Sequence, residues 1–369
     1  MPFLETAAIK KAMLDPIKMW FKDSGNYPYV VARVKAKRKN LLPKETYAKF
    51  LMMSTAEISR SLGETSYRTE IENLGLKYSG ADLVENALNL NMANTFKEIL
   101  GFSKGHLHGM IAQYLDEWDF WNLKAIIRGI HFGAKRDEIF EELIPAGQYS
   151  LEFWRDVANK DDLEAVLEGL KHTEFYEPIV TAWEDYQNTK MLTGIETNLD
   201  KAYFEYLLST IYPSGKAGKL FLEFIQIRID TINLKTLFRF KFVNGTKQEL
   251  SPFLLDGGLI FNKAKLDDLA ESRDFDDLID RLKPAAIYQK IGKDLEQLKE
   301  DGTLIHLINV LDKYFLDTTK RFAYTSPISI LPVLDYFVRK EIEVKNIRAI
   351  VRGKSSDLPQ DIIQDMLVI

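Results

Sequence analysis

Six basic side chains recur in this chain as pairs four residues apart, and each pair follows an asparagine. The repeated pattern is asparagine, aliphatic, basic, any residue, aliphatic, any residue, arginine, and it begins at Asn122, Asn233 and Asn346. The basic residues are Lys124, Arg128, Lys235, Arg239, Arg348 and Arg352. Because residues i and i+4 share one face of a helix, each pair presents two neighbouring cations, which suits ion pairing or the binding of an acidic group.

An acidic residue lies three positions before each asparagine, at Asp119, Asp230 and Glu343. One hypothesis is that the cations pair with these acids, or with carbonyls at helix C-termini, and so fix the packing of the helices. The other is that the cations line a shared axial cavity and bind an acidic element inserted there. Charge reversal at the three arginines separates the hypotheses, since packing predicts unfolding and docking predicts a folded protein that fails to bind.

Other residue patterns give little indication of catalysis. The chain has no cysteine, which excludes thiolate ligands and nucleophiles. Phosphate-binding, dinucleotide-binding and serine-nucleophile motifs are also missing from the sequence. His106, His108 and His131 could hold a metal beside a carboxylate, but they lack the spacing of a helical zinc site. We therefore predict no catalytic residue, cofactor or metal, and keep a histidine-based enzyme as a rival hypothesis.

The elements that would carry these residues are predicted to be helices, and the fold class all-α. Apolar residues recur at steps of three and four, as at Leu83, Ala87 and Leu90. Aspartate pairs at 161–162, 267–268 and 276–277 predict helix starts. Residues 238–245 alternate like a strand, but their repeat counterparts do not, so we predict a helix end followed by a loop.

The regular recurrence of the pattern indicates internal duplication. The asparagines are 111 and 113 residues apart, and chance would start such a pattern at roughly one position in 10⁵. The third copy ends halfway, and residues 62–71 match the second half of the other copies. We therefore expect three similar helical modules around a pseudo-threefold axis: 76–185, 186–298, and 299–369 closed by 27–75. Residues 1–26 form an N-terminal extension.

Composition limits the function classes. The 369 residues are 46% hydrophobic and carry a formal charge of −5, with no apolar run long enough to span a membrane and no secretory signal. Residues 1–75 carry a net charge of +5 and the remainder −10, which disfavours nucleic-acid binding by most of the surface. The tryptophans at 118, 121, 154 and 183 are predicted to anchor the core. These features predict a protein that stays in the cytoplasm.

Several segments together resemble a known family. They are the stretches 29–34, 41–42, 118–124, 144–147 and 167–170, which read YVVARV, LL, WDFWNLK, IPAG and LEGL. They look like the C subunit of archaeal-type (A/V-type) ATP synthases, which is similar to the d subunit of the vacuolar ATPase. The resemblance covers nearly the whole chain, and its combination with the threefold repeat makes it specific.

The resemblance implies a noncatalytic, funnel-shaped central-stalk subunit, present once per complex, of a proton- or sodium-translocating ATP synthase. Its partners would be the central-shaft subunits and the membrane proteolipid ring, with no nucleotide bound directly and no nucleic acid. It would lie peripherally on the cytoplasmic face of the cell membrane and transmit torque between ring and shaft. The alternative function is a freestanding helical-repeat scaffold for protein interactions.

Overall fold

The structure is a computed structural model that describes residues 25–211, 215–301 and 303–369. Within these ranges the regular structure is helical and contains no strand, so the all-α prediction is confirmed. Of the predicted N-terminal extension, residues 1–24 lie outside the described part.

The helices are numbered in the order in which they follow one another along the chain. The first are α1 Tyr27–Arg38, α2 Lys44–Met52, α3 Thr55–Leu62, α4 Arg68–Leu74, α5 Gly80–Phe102, α6 Gly105–Leu115 and α7 Glu117–His131. The next are α8 Arg136–Glu142, α9 Leu151–Ala158, α10 Leu163–Gly169, α11 Tyr176–Thr181, α12 Trp183–Thr189, α13 Thr193–Thr210 and α14 Gly215–Phe242. The last are α15 Lys247–Leu250, α16 Lys263–Ala270, α17 Phe275–Leu282, α18 Tyr288–Asp301, α19 Leu304–Thr325, α20 Leu331–Ser355 and α21 Gln360–Asp365.

Helix starts follow the predicted aspartates in two places and differ in one. Asp162 is the N-cap of α10, where its carboxylate accepts from the Ala165 amide at 2.8 Å. The pair 276–277 lies in the first turn of α17, behind the N-cap Asp274. The prediction is wrong at 267–268, because those aspartates lie inside α16, whose N-cap is Asn262.

The strand-like stretch 238–245 is helical up to Phe242, where α14 ends, so the predicted helix end and loop are confirmed. Burial does not follow the alternation, since Phe238 and Lys241 are buried whereas Arg239 and Phe242 are exposed. A short alternation of this kind does not distinguish a strand from one side of a long helix.

Each copy of the pattern lies on one long helix, and these three helices, α7, α14 and α20, are called the repeat helices. The helices α5, α13 and α19 carry equivalent leucines at Leu88, Leu199 and Leu311 and are called preceding helices. Each repeat helix packs against the preceding helix of the next copy: α7 on α13, α14 on α19, and α20 on α5. The contacts therefore run from the first copy to the second, the second to the third, and the third back to the first.

The segment near the N-terminus packs against the last long helix. Helices α1, α2 and α3 contact α20, and α21 contacts α2. Lys354 on α20 donates to the Leu51 carbonyl at 2.7 Å. These contacts agree with a third module completed by both ends of the chain, and the exact module boundaries stay a prediction.

Two clusters of buried apolar side chains form the core. The larger extends from α1 to the C-terminal residues and includes α20, while the smaller joins α14 to α16, α17, α18 and α19. Trp154 is fully buried, as predicted for the tryptophans, but Trp121 is 38% exposed. Across the described ranges, no helix combines the length and the apolar character that crossing a membrane requires.

Candidate functional site: the repeat contacts and the central cluster

The three repeat asparagines make the same pair of hydrogen bonds. The Asn122 amide donates to the Ile144 carbonyl at 2.9 Å, and its oxygen accepts from the Ile144 amide at 2.7 Å. Asn233 pairs in both directions with Leu255 and Asn346 with Val368, at 2.8–3.0 Å. Each partner is 22 residues downstream. A carboxamide has the donor and the acceptor that the backbone C=O and N–H of one buried residue need, which explains why asparagine recurs.

The first two repeat acids bind the backbone of a returning loop. Asp119 accepts from the Gln148 amide at 2.6 Å and from the Trp154 indole at 3.1 Å. Asp230 accepts from three successive amides, those of residues 259, 260 and 261, at 2.7–3.1 Å. A carboxylate can satisfy several free amides of a tight loop at once, so these acids fix the loop against the repeat helix.

The approach of each loop to its acid requires glycine. A Cβ on Gly147 would lie 2.2 Å from the Asp119 carboxylate, and one on Gly258 would lie 2.1 Å from that of Asp230. Both distances are far below van der Waals contact.

Burial raises the pKa of Asp119 to about 7 and that of Asp230 to about 6, while the amide hydrogen bonds act in the opposite direction.

The third repeat acid makes the equivalent contact to the N-terminal segment. Glu343 accepts from the Leu42 amide at 2.5 Å and from the Tyr67 hydroxyl at 2.6 Å. Lys340 donates to the same carboxylate at 2.9 Å, and the side chains of Lys340 and Glu343 are each 2% exposed. In the third copy, residues of the N-terminal segment thus bind the repeat acid that a returning loop binds in the other two copies.

The first cation of each pair reaches the preceding helix of the next copy. Lys124 binds Asp200 and Lys235 binds Asp312. Arg348 binds the Asn89 side-chain oxygen, because asparagine stands where the other copies have aspartate. Burial alone would raise the pKa of Asp312, but Lys235 and Lys345 hold it below its usual value.

The second cation of each pair does the same in two copies. Arg128 binds both oxygens of Glu196 at 2.5 and 2.9 Å, and Arg352 binds both oxygens of Glu85 at 2.7 Å. Arg239 makes no ion pair within the described ranges. Ile308, on α19 of the third copy, occupies the position that corresponds to those two glutamates, so the third copy offers Arg239 no carboxylate there.

These contacts differ from the predicted pairing of the cations with Asp119, Asp230 and Glu343. The repeat acids bind loops and the N-terminal segment, while the cations join one copy to the next. The physical reason lies in the helix geometry. Acid and first cation are five residues apart, which places them on different faces of the helix, so each faces a different neighbour.

Equivalent residues of the three copies also meet, five positions before each asparagine. Arg228 forms an ion pair with Glu117, donating from Nη2 to Oε1 at 2.8 Å and lying 2.6 Å from Oε2, and it donates from Nη1 to the Tyr114 hydroxyl. That hydroxyl donates to Glu341 at 3.2 Å. Glu117, Arg228 and Glu341 are separated by the same 111 and 113 residues as the asparagines. These three and Tyr114 are called the central cluster below.

The charges of the central cluster do not balance. Two carboxylates face one guanidinium, and Arg228 is paired with Glu117. Burial raises the pKa of Glu341 to about 7, Arg228 opposes this rise and Glu117 adds to it. Glu341 is therefore the member of the cluster whose charge its neighbours neutralise least.

A pocket of about 390 Å³, called the side pocket below, opens beside Glu341. Its walls include Trp118, Trp121, Val344 and Arg348. Trp118 and Trp121 contact each other edge to face, with ring centroids 6.3 Å apart. The side pocket therefore combines an aromatic wall with one carboxylate, that of Glu341, and three cations, those of Lys345, Arg348 and Arg352.

The histidines do not come together into a site. His108 Nδ1 lies 3.0 Å from the Leu100 carbonyl, and His131 Nδ1 lies 3.1 Å from the Tyr186 hydroxyl. Within the described part of the chain, no group of three or more histidine or acidic residues is arranged to hold a metal ion. The geometry thus offers the rival histidine-based enzyme no assembled centre in these ranges.

Comparison with known proteins identifies the family of this chain. The family model described as ATP synthase (C/AC39) subunit matches residues 30–366. Similar proteins, each named as the C subunit of an A-type ATP synthase, include that of Methanosarcina acetivorans, 37% identical over 94% of both chains. Another is that of Methanococcoides burtonii, 35% identical over 94% of this chain and 95% of the relative. That of Haloferax volcanii is 34% identical over 93% and 98%. The chain belongs to the ATP synthase (C/AC39) subunit family.

Proposed function

We propose that this chain is a noncatalytic central-stalk subunit of an A/V-type ATP synthase, present once per complex. It links the central-shaft subunits to the membrane proteolipid ring and transmits torque during ATP synthesis or hydrolysis coupled to proton or sodium flow. It lies peripherally on the cytoplasmic face of the membrane and binds no nucleotide itself. Family membership and the names of the relatives support the assignment to the synthase.

The observation that carries the mechanical part of the proposal is the central cluster. Residues at one position of an internal repeat can touch each other only where the copies converge. Arg228 pairs with Glu117, and the Tyr114 hydroxyl links Arg228 to Glu341. The copies also contact one another in the order first, second, third, first. Three modules around a pseudo-threefold axis, widening into a funnel, would suit a subunit that turns with a shaft.

Torque transmission requires modules that do not twist against each other. The ion pairs of Lys124, Arg128, Lys235 and Arg352 join successive copies, which favours a packing role for the repeat cations. We propose boundaries near residues 185 and 298, inside helices α12 and α18 rather than in loops. Packed interiors deform little, so such boundaries would resist rotation. Rapid proteolytic cleavage of the folded protein at either boundary would contradict this role.

The first experiment is recovery of the tagged protein from gently solubilised native membranes. Proteolipid recovered together with central-shaft and nucleotide-binding subunits is the expected result. A protein recovered without any of these would refute the rotor function. The same result would favour the alternative function, a freestanding helical-repeat scaffold, which has no need of a proteolipid ring.

A further inference from the structure

The turns that follow the three preceding helices lie at one end of the molecule. On α20, Arg352 binds Glu85 of α5. Phe337, nearer the start of α20, packs on Phe96, nearer the end of α5, with ring centroids 4.4 Å apart. The two helices therefore run antiparallel, and the contacts of α7 with α13 and of α14 with α19 have the same order. Because each preceding helix is followed by a turn that leads toward its own repeat helix, the three turns share one end, called the turn end below.

The turn end carries a net positive charge. It includes three segments of the chain, 97–104, 205–219 and 317–328. They contain six cations and three carboxylates, which gives 6 − 3 = +3. All six cations are exposed, and within the described ranges none of them makes an ion pair. They are Lys97, Lys104, Lys216, Lys219, Lys320 and Arg321. The carboxylates are Glu98, Glu205 and Asp317.

Helix α1 lies at the turn end and adds to its positive charge. Its N-cap Asn26 binds the backbone of the turn after α5 at 2.8 and 2.9 Å, and its last residue binds Asp335 near the start of α20. The helix and its C-cap Lys39 hold five cations and no carboxylate. Three of the five pair with Glu98 or Asp335. Lys35 and Lys39 stay exposed, without an ion pair among the described residues.

The opposite end of the repeat helices has the reverse charge. The segments that follow those helices are 132–142, 243–249 and 356–365. They contain three cations and seven carboxylates, which gives 3 − 7 = −4. A negatively charged surface therefore attracts the turn end and repels the opposite end.

Exposed apolar side chains accompany the cations at the turn end. In the turn between α19 and α20, Tyr324 is 86% exposed and Ile328 is 68% exposed, and Tyr29 on α1 is 51% exposed. Tyrosine suits the boundary between water and lipid, because its ring is apolar and its hydroxyl group is polar. Cations spread over a broad face, with apolar side chains among them, fit the headgroup layer of an anionic membrane.

We propose that the turn end binds anionic lipid headgroups at the membrane surface directly. Lys216, Lys219, Lys320 and Arg321 lie beside lipid phosphate groups, and Tyr324 enters the headgroup layer. This inference rests on the proposed function, which places the chain at the membrane. It adds the end of the molecule that faces the membrane and the lipid chemistry that this end recognises.

The test is sedimentation of the full chain with vesicles of phosphatidylcholine that contain about 30% phosphatidylglycerol, and with vesicles of phosphatidylcholine alone. The protein should sediment with the anionic vesicles at low salt, and less so as salt screens the charges. Lys216→Gln combined with Lys219→Gln should lower the partition coefficient about 10- to 30-fold, as expected for two cations at an anionic surface. Lys320→Gln combined with Arg321→Gln should act similarly. Tyr324→Ser should weaken the binding that remains at high salt.

The matched control removes two exposed lysines from the opposite end of the molecule. Lys135→Gln combined with Lys190→Gln makes the same change in net charge, and should leave the partition coefficient unchanged. Circular dichroism establishes that each variant is folded. If one of the two turn-end variants does not fold, the other decides, because each removes a different pair of cations.

Two results would overturn the inference. In one, the wild-type protein sediments no better with anionic vesicles than with neutral ones. In the other, the folded turn-end variants keep the partition coefficient of the control. Recovery of the protein from native membranes distinguishes this failure from that of the proposed function. If the protein comes with proteolipid and central-shaft subunits but does not bind anionic vesicles, the lipid contact is refuted and the proposed function stands.

Discussion

Replacing Asn233 with alanine should cost the protein about 2–6 kcal/mol of its free energy of unfolding. The side chain is fully buried and makes two hydrogen bonds to the backbone of Leu255, one to its carbonyl and one from its N–H, both 2.8 Å long. Leu255 is itself 5% exposed, so water does not replace the lost partner. Each buried polar group left without a partner costs about 1–3 kcal/mol, and two such groups give the stated range.

The assay is equilibrium unfolding in urea, followed by circular dichroism, with the slope of the transition compared between proteins. Asn40→Ala is the control, because Asn40 is exposed and its side chain makes no hydrogen bond within the described residues. It should change stability by less than about 0.5 kcal/mol. Asn233→Asp keeps the acceptor but places a carboxylate against the Leu255 carbonyl, so it should be at least as destabilising as alanine.

Comparison between the copies tests the reasoning further. Asn122→Ala should cost about as much as Asn233→Ala, since the partner Ile144 is also buried. Asn346→Ala should also cost about as much, since its partner Val368 is 4% exposed. If Asn233→Ala unfolds at the same urea concentration as Asn40→Ala, the paired hydrogen bonds do not hold the loop and the argument is refuted.

Three further predictions concern the loops and the ion pairs. Gly258→Ala should destabilise the protein by about 2–4 kcal/mol in urea unfolding, because the new Cβ would displace the Asp230 carboxylate, whereas Gly101→Ala, with open space at its Cβ, should not. Removing Arg128 and Glu196 singly and together should give a coupling energy of about 0.5–1 kcal/mol that shrinks in salt, and zero coupling would contradict the bridge. Asp119→Asn should flatten the dependence of stability on pH between about 4 and 7. The raised pKa lets the folded state bind more protons than the unfolded state there, so wild-type stability falls as pH rises, and an unchanged slope in the variant would refute this.

The repeat spacing predicted the helices and the equivalence of their residues well. Asn122, Asn233 and Asn346 lie on long helices as expected, and their bonds to residues 22 positions downstream are the same in all three copies. The bonds themselves were not predicted, because the sequence does not show where a returning loop passes. An asparagine at the same place in each copy was the available signal.

The partners of the repeat cations could not be predicted for a different reason. Lys124 and Arg128 face residues near position 200, and that contact depends on how one copy packs on the next. Periodicity within one helix carries no information about this packing. Trp121 shows the same limit, since side-chain size predicted burial and the opening of the side pocket left the ring exposed.

The central cluster was missed because its members differ in chemical type. A search for repeated residues finds identical or similar side chains, and Glu117, Arg228 and Glu341 alternate in charge. Their shared position, five residues before each asparagine, was nevertheless visible. Opposite charges at equivalent positions are a useful signal, since residues that meet where copies converge cannot all carry the same charge without cost.

The contact between Glu343 and the Leu42 amide affects the order in which the protein can fold. The two residues are 301 positions apart, so the N-terminal helices leave the ribosome long before the helix they pack against exists. During synthesis, α1, α2 and α3 must keep their apolar faces out of wrong contacts while the first and second copies form. Such long-range contacts form late, because closing a long loop must come before the gain from packing. A chain released before residue 343 would leave that surface uncovered, so this contact also distinguishes chains that include α20 from shorter ones.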